Sequence, residues 1–124
     1  MKITLIRHGR TIGNVKGCFN GVTNDPLCDD GVETIKEYVE KGIYPEVGIV
    51  VSSPLKRCLQ TSNLIYPQHK PIVVDNLREI NFGDFENKTH LQLENNPDYI
   101  RWISLMAQVI FLMERVLRLL QTDV

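Results

Sequence analysis

The sequence predicts an α/β fold, a mostly parallel sheet with helices on both faces, and three observations support it. Val47-Gly48-Ile49-Val50-Val51 is a nearly continuous apolar run rich in β-branched residues, the pattern of a strand covered on both sides. Strand-like and helix-like segments alternate through the first seventy-odd residues, which favours parallel pairing through helical crossovers. The two phrases richest in chemistry, Arg7-His8-Gly9 and Ser52-Ser53-Pro54-Leu55-Lys56-Arg57, each follow an apolar run and so stand at strand carboxyl ends, where ligands of such sheets collect.

In chain order, Lys2 to Ile6 reads as the first strand. Thr11 to Asp29 carries Gly13, Gly17, Gly21 and Pro26 among Asn and Asp residues, the composition of a long loop. Asp30-Gly31-Val32-Glu33 reads as a capping box, with Val32, Ile35 and Val39 on one helical face and Gly42 closing the helix. Ser53 is expected to cap the helix after the Val47–Val51 strand, with Pro54 in its first turn and Leu55, Leu59, Ser62 and Ile65 on its buried side. Ile72-Val73-Val74 is a third short strand, and Asp75 to Asn87 is irregular.

Thr89-His90-Leu91-Gln92 reads as another capping box, and Asn96-Pro97 starts a helix in which Tyr99 and Trp102 are packing groups. From Met106 to Gln121 apolar residues recur at helical spacing: Met106, Val109, Ile110, Met113, Val116, Leu117 and Leu120. Leu105, Phe111, Leu112 and Leu119 fall off that stripe, so this helix wants cover on more than one side.

With 124 residues and a formal net charge of −1, the chain fits one domain and offers no basic field for a polyanion. Nucleic acid and membrane surfaces are therefore not expected partners. The start lacks the apolar stretch of a signal peptide, and no run reaches the ~18 apolar residues of a spanning helix. Cys18, Cys28 and Cys58 make an odd set that suits reduced thiols, and a cytoplasmic protein is expected.

Phosphoryl transfer to an enzyme needs an in-line nucleophile, positive groups around the equatorial oxygens and an acid for the leaving oxygen. His8 can attack through one ring nitrogen if the other donates its proton to a fixed acceptor. Arg7 and Arg57 can hold phosphate in a forked geometry, and Arg57 is expected beside a helix amino end. Glu79 is the candidate general acid, because a neighbouring phosphate dianion favours its protonated form. That role requires Arg78 to point away from Glu79.

These residues resemble the histidine phosphatase superfamily, also called phosphoglycerate mutase-like. The likeness rests on Arg7-His8-Gly9, on Asn14, on Asn20-Gly21 through Asp25-Pro26-Leu27, on Ser52-Ser53-Pro54 with Arg57 and Thr61, and on Leu77-Arg78-Glu79 with Phe82-Gly83. It runs from Lys2 to about Trp102. The resemblance implies a three-layer sandwich, phosphorylation of His8, and proton donation by Glu79. It further implies phosphate or substrate binding by Arg7, Asn14, Asn20, Gly21 and Arg57, with no metal and no cofactor.

Phe82-Gly83-Asp84-Phe85-Glu86 is most similar to small bacterial phosphatases of the alpha-ribazole phosphatase type, involved in cobalamin assembly. Cys28 stands where that family commonly has threonine, and Asn87 where it commonly has glycine. After Trp102 a Gly-Glu-Ser phrase of the family is replaced by Leu105 to Phe111, and family-like text resumes at Glu114-Arg115-Val116-Leu117. The family's second histidine, on a central strand between those headed by His8 and Ser52, has no counterpart here, so residues 1–124 are expected to form a single, incomplete domain.

The first expectation is a phosphomonoesterase acting on a small phosphorylated metabolite through a phosphohistidine. A mutase using the same residues is the close alternative. A catalytically deficient remnant that binds an anion, or docks through its apolar helix onto another copy or another protein, is the alternative of a different class. His69 and His90 read as surface residues, and Asp29, Asp30 and Glu33 as capping rather than metal-binding groups. A cysteine nucleophile is excluded, since no cysteine has an arginine six places on, and no Gly-Lys-Ser or Gly-Lys-Thr nucleotide loop occurs.

Overall fold

The computed structural model describes residues 1–121, with side chains described through Arg115. Two compact units divide the chain, Met1–Thr89 and the part from His90 onward. In the first, a short helix α1 (Ile12–Lys16) is followed by α2 (Asp29–Glu40), strand β1 (Val51–Ser52), α3 (Lys56–Ile65) and strand β2 (Ile72–Val73). The two strands are parallel, with Val51 opposite Ile72 and Ser52 opposite Val73, and α3 is the crossover between them.

Several expected boundaries move, each for a visible reason. Lys2–Ile6 forms no strand: none of the described residues pairs with it, and without a neighbour there is no ladder. Ile3 and Leu5 are accordingly 71% and 93% exposed. Only the end of the Val47–Val51 run is paired, where Val50 and Ser52 carbonyls accept the Ile72 and Val74 N–H groups.

Helix α2 starts at Asp29, before the expected box, because Cys28 is its cap: the Sγ accepts the Gly31 N–H at 3.4 Å. Asp29 and Asp30 then lie in the first turn, where unpaired N–H groups favour carboxylates. Gly42 closes the helix as expected, with φ +66° and its N–H on the Val39 carbonyl. Helix α3 starts at Lys56 rather than after Ser53. Its first N–H is taken by Asn24 Oδ1 at 2.7 Å, a cap supplied from a distant loop, while Ser53 Oγ accepts the Leu55 N–H at 3.3 Å.

The two departures from the family pattern also acquire a structural reading. Cys28 occupies a cap position, which a threonine fills with the same kind of acceptor. Asn87 has φ 59°, a left-handed conformation that glycine adopts without strain and asparagine tolerates better than most residues.

The core lies where α2 packs on α3. Leu27, Ile35, Ile65 and Tyr66 are buried together, with Val32, Tyr44, Val47, Val50 and Leu64 against them. The Tyr66 hydroxyl donates to the Pro45 carbonyl at 2.7 Å, tying the end of α3 to the segment that leads into β1.

In the second unit, α4 (His90–Leu93) precedes the long helix α5 (Pro97–Gln121). Asn96 caps α5, its Oδ1 accepting the Asp98 and Tyr99 N–H groups at 2.9 and 3.1 Å. Tyr99 is buried, its hydroxyl 2.8 Å from His90 Nδ1 and its ring against Trp102. Leu105, Met106, Val109, Ile110, Phe111, Leu112 and Met113 of α5 are all exposed. Val116, Leu117, Leu119 and Leu120 lie outside the described side chains. No helix among the described residues is long and apolar enough to cross a membrane.

Leu55 is 2% exposed, so Leu55→Ala should cost about 2–5 kcal/mol in urea unfolding, whereas Leu5→Lys should stay within about 0.5 kcal/mol. A large loss for Leu5→Lys would show that residue 5 is buried in solution.

Candidate active site

His8 is held by its own turn. Its Nδ1 lies 2.7 Å from the Gly9 carbonyl oxygen. A carbonyl can only accept, so Nδ1 carries the proton, and in the neutral ring Nε2 keeps its lone pair. The Gly9 N–H in turn donates to Thr61 Oγ1 at 3.0 Å, and that hydroxyl donates to the Arg57 carbonyl at 2.7 Å. One turn of α3 therefore fixes the backbone beside the nucleophile.

The turn is also pressed onto the core. A Cβ on Gly9 would sit 2.6 Å from Ile35 Cδ1 and 3.3 Å from Leu27 Cδ2, so a side chain there would displace the nucleophile or the core. The Arg10 carbonyl accepts the Cys28 N–H at 3.0 Å, which brings the start of α2 beside the turn.

The loop after the turn is organised by a capping box at α1. Asn14 Oδ1 accepts the Thr11 N–H at 3.0 Å, and Thr11 Oγ1 accepts the Asn14 N–H at 3.1 Å. This fixes the exposed Asn14 amide and leaves its NH₂ end as the group able to donate to an anion. Asp25 accepts from the Gly13 N–H at 3.0 Å and from Arg57 at 3.2 Å. Burial by itself would raise the Asp25 pKa. The bonds from Thr11, Gly13 and Asn20 and the charge of Arg57 outweigh it, so the carboxyl titrates below its ordinary value.

Arg57 is 2% exposed. Its Nη1 donates to the Thr23 carbonyl (2.8 Å) and Asp25 Oδ1 (3.2 Å), and its Nη2 to the Asn20 (3.3 Å) and Gly21 (2.7 Å) carbonyls. Both ends of the fork are thus engaged with the 20–25 loop, and Nε–H is the donor that remains. The expectation of free N–H groups at the helix start is reduced in the same way, since Asn24 takes that of Lys56.

Glu79 is exposed, with Oε1 3.2 Å from its neighbour's Ile80 N–H. Arg78 faces Asp75 at 3.7 Å, so the required absence of an Arg78–Glu79 pair is met. Gly21 is pressed against the Ile80 carbonyl, where no side chain would fit, and this sets the Glu79 backbone one residue from the loop. Arg7 is exposed beside His8 in the chain. His8, Gly9, Thr61, Arg57, Asn20 and Gly21 are therefore joined through hydrogen bonds, Asn14 joins through Thr11, and Glu79 borders the group. His69 packs edge-on against Tyr66 in a separate cleft of about 380 Å³, and His90 pairs with Tyr99.

Sequence reasoning assigned no role to Asp25 or Glu86. Glu86 accepts from Gly21, Val22, Thr23 and Phe82, and these bonds, offsetting the rise that burial would cause, hold its carboxyl below the ordinary range. The Phe82–Glu86 phrase marked the segment, but nothing in it showed which residue the loop would reach. Among the described residues no cluster of His, Cys, Asp and Glu could hold a metal ion.

Residues 3–111 match the sequence profile described as the histidine phosphatase superfamily (branch 1). The chain belongs to that superfamily. It is 31% identical over 109 residues to the adenosylcobalamin/alpha-ribazole phosphatase of Salmonella typhimurium, covering 82% of this chain and 52% of that protein. The Escherichia coli protein of the same description is 30% identical over 106 residues, again covering 82% and 52%. The chain thus spans about half the length of the curated relatives it matches.

Among solved structures, the phosphoserine phosphatase of Entamoeba histolytica, in complex with 3-phosphoglyceric acid, superposes with TM-score 0.70 at 32% identity, covering 79% of this chain and 49% of that one. The alpha-ribazole phosphatase of Shigella flexneri gives TM-score 0.70 at 29% identity, covering 80% and 51%. The α/β fold class expected from the sequence is that of these phosphatases. The family match runs to residue 111, past Trp102.

Because Asp25 and Glu86 titrate below their ordinary values, the stability they contribute is present above about pH 5 and lost as pH falls through their folded values. Acid unfolding followed by circular dichroism should therefore be flatter between about pH 5 and 3 for Asp25→Asn, which should also be less stable at neutral pH. An unchanged slope would show that Asp25 keeps an ordinary pKa.

Proposed function

We propose that this chain carries the nucleophile side of a phosphomonoesterase acting on a small phosphorylated metabolite, of the alpha-ribazole phosphatase type. The observation that carries the reading is the 2.7 Å contact between His8 Nδ1 and the Gly9 carbonyl, which leaves Nε2 as the nucleophilic nitrogen. The similarity to alpha-ribazole phosphatases supports the substrate type.

In the reaction, Nε2 attacks phosphorus in line, the bond to the ester oxygen breaks, and Glu79 gives its proton to the leaving alkoxide. Water then attacks the phosphohistidine while the Glu79 carboxylate takes its proton, and inorganic phosphate leaves with His8 restored. Arg7 and the Asn14 amide hold the equatorial oxygens. Arg57 contributes its charge and Nε–H, and Asn20 and Gly21 shape the wall that meets the substrate. No step calls for a metal or another cofactor.

The three free cysteines suit a reducing cytoplasm, which is where we place the protein. The exposed apolar side chains of α5, Phe111 and Met113 among them, support self-association through that helix.

Acid-quenched reaction with a radiolabelled phosphomonoester should leave label on His8 that turns over, and His8→Ala should abolish both label and hydrolysis. Glu79→Ala should slow an alkyl phosphate by roughly 10² to 10⁴ and p-nitrophenyl phosphate far less, because nitrophenolate leaves without a proton. Hydrolysis that survives His8→Ala would move the nucleophile elsewhere.

A further inference from the structure

The segment Asn20–Thr23 is gripped from two sides by opposite charges. On its N–H side stands Glu86: Oε1 accepts the Gly21 N–H at 3.0 Å, the Val22 N–H at 3.1 Å and the Phe82 N–H at 3.0 Å. Its Oε2 accepts the Thr23 hydroxyl at 2.6 Å and the Thr23 N–H at 3.4 Å. On the carbonyl side stands Arg57, donating to the Asn20, Gly21 and Thr23 oxygens. Gly21 itself gives its N–H to the carboxylate and its carbonyl to the guanidinium, so each charge orients the backbone dipoles that hold the other.

From this arrangement we infer that Glu86 is a positioning residue for the phosphate site, holding the Asn20–Thr23 segment in the one placement that sets Arg57. The inference rests on the phosphatase reading above. Arg57 lies 2% exposed and keeps only Nε–H for an anion, so it has no freedom to search for one. Its place is decided by where the loop carbonyls stand. Two of those carbonyls, of Asn20 and Gly21, lie in the peptide units whose N–H groups, of Gly21 and Val22, Glu86 fixes, and a carboxylate satisfying both oxygens tolerates little displacement. The carboxyl group is ionised at neutral pH, as acceptance of five donors requires.

Loss of Glu86 should therefore act on transition-state binding more than on substrate binding. With p-nitrophenyl phosphate as substrate and orthovanadate as inhibitor, Glu86→Ala should lower kcat and weaken orthovanadate by about 10²-fold, with KM changed less than about threefold. Glu86→Gln retains an acceptor oxygen for the loop N–H groups but loses the charge, and should fall between Glu86→Ala and the unmutated protein. A purely structural role would reduce the active fraction, and so kcat, without moving the orthovanadate constant.

An unchanged orthovanadate constant in a folded Glu86→Ala protein overturns the inference. If that variant does not fold, Glu86→Gln decides: a constant equal to that of the unmutated chain overturns it, and a weakened one supports it. If the unmutated chain neither hydrolyses the ester nor binds orthovanadate, the phosphatase reading falls, and the catalytic role of Glu86 falls with it. Amide exchange at Gly21 and Val22 then reads the anchoring alone, and unprotected amides overturn that as well.

Discussion

The buried guanidinium of Arg57 is the interaction on which the arrangement around His8 depends. A cation placed 2% exposed in a protein is costly unless every donor that leaves water finds an acceptor. Here three backbone carbonyls and Asp25 supply them for Nη1 and Nη2, leaving Nε–H, and all come from one loop. The loop has no regular structure of its own in this stretch, so its conformation is set largely by what those carbonyls must satisfy. Cation and loop define each other.

The same residue reaches the nucleophile by a second route. Its backbone carbonyl accepts from Thr61, whose hydroxyl accepts from Gly9, whose carbonyl fixes the proton of His8. The chain of bonds ends on the tautomer that leaves Nε2 unprotonated. Helix α3 thus serves both ends of the group, its Arg57 side chain gripping the loop and its Thr61 hydroxyl steadying the Arg-His-Gly turn. Glycines make the close approaches feasible: Gly9 against the Ile35 side chain and Gly21 against the Ile80 carbonyl.

Much of this is legible in the sequence. His8, Arg57 and Thr61 stand in phrases whose order and residue types name the chemistry, and Asn96 and Gly42 punctuate their helices as local rules expect. The failures share a cause. Lys2–Ile6 has the composition of a strand but lacks a hydrogen-bonded neighbour among the described residues, and pairing is not a property of one segment. Ser53 has the type and place of a cap for α3, yet Asn24 takes the first helical N–H from across the fold. Glu86 is silent in the sequence because a carboxylate on an irregular segment reads as a solvated charge, and only the fold converges the N–H groups of Gly21, Val22 and Thr23 on it.

Residue identity alone determined which groups are available for chemistry, since nucleophilicity, charge and the conformational freedom of glycine belong to the side chain and travel with it. It also determined the bodies of α2, α3 and α5, whose hydrogen bonds close within four residues, though not α1, which forms inside the segment that reads as a loop. Tertiary structure decided the rest: which nitrogen of His8 is protonated, how much of the Arg57 fork remains for an anion, and whether an apolar run becomes a strand. The last two depend on acceptors or donors far along the chain, and the first on the adjacent Gly9 carbonyl, in a turn that the distant Thr61 hydroxyl steadies; only folding determines which of the available partners arrives.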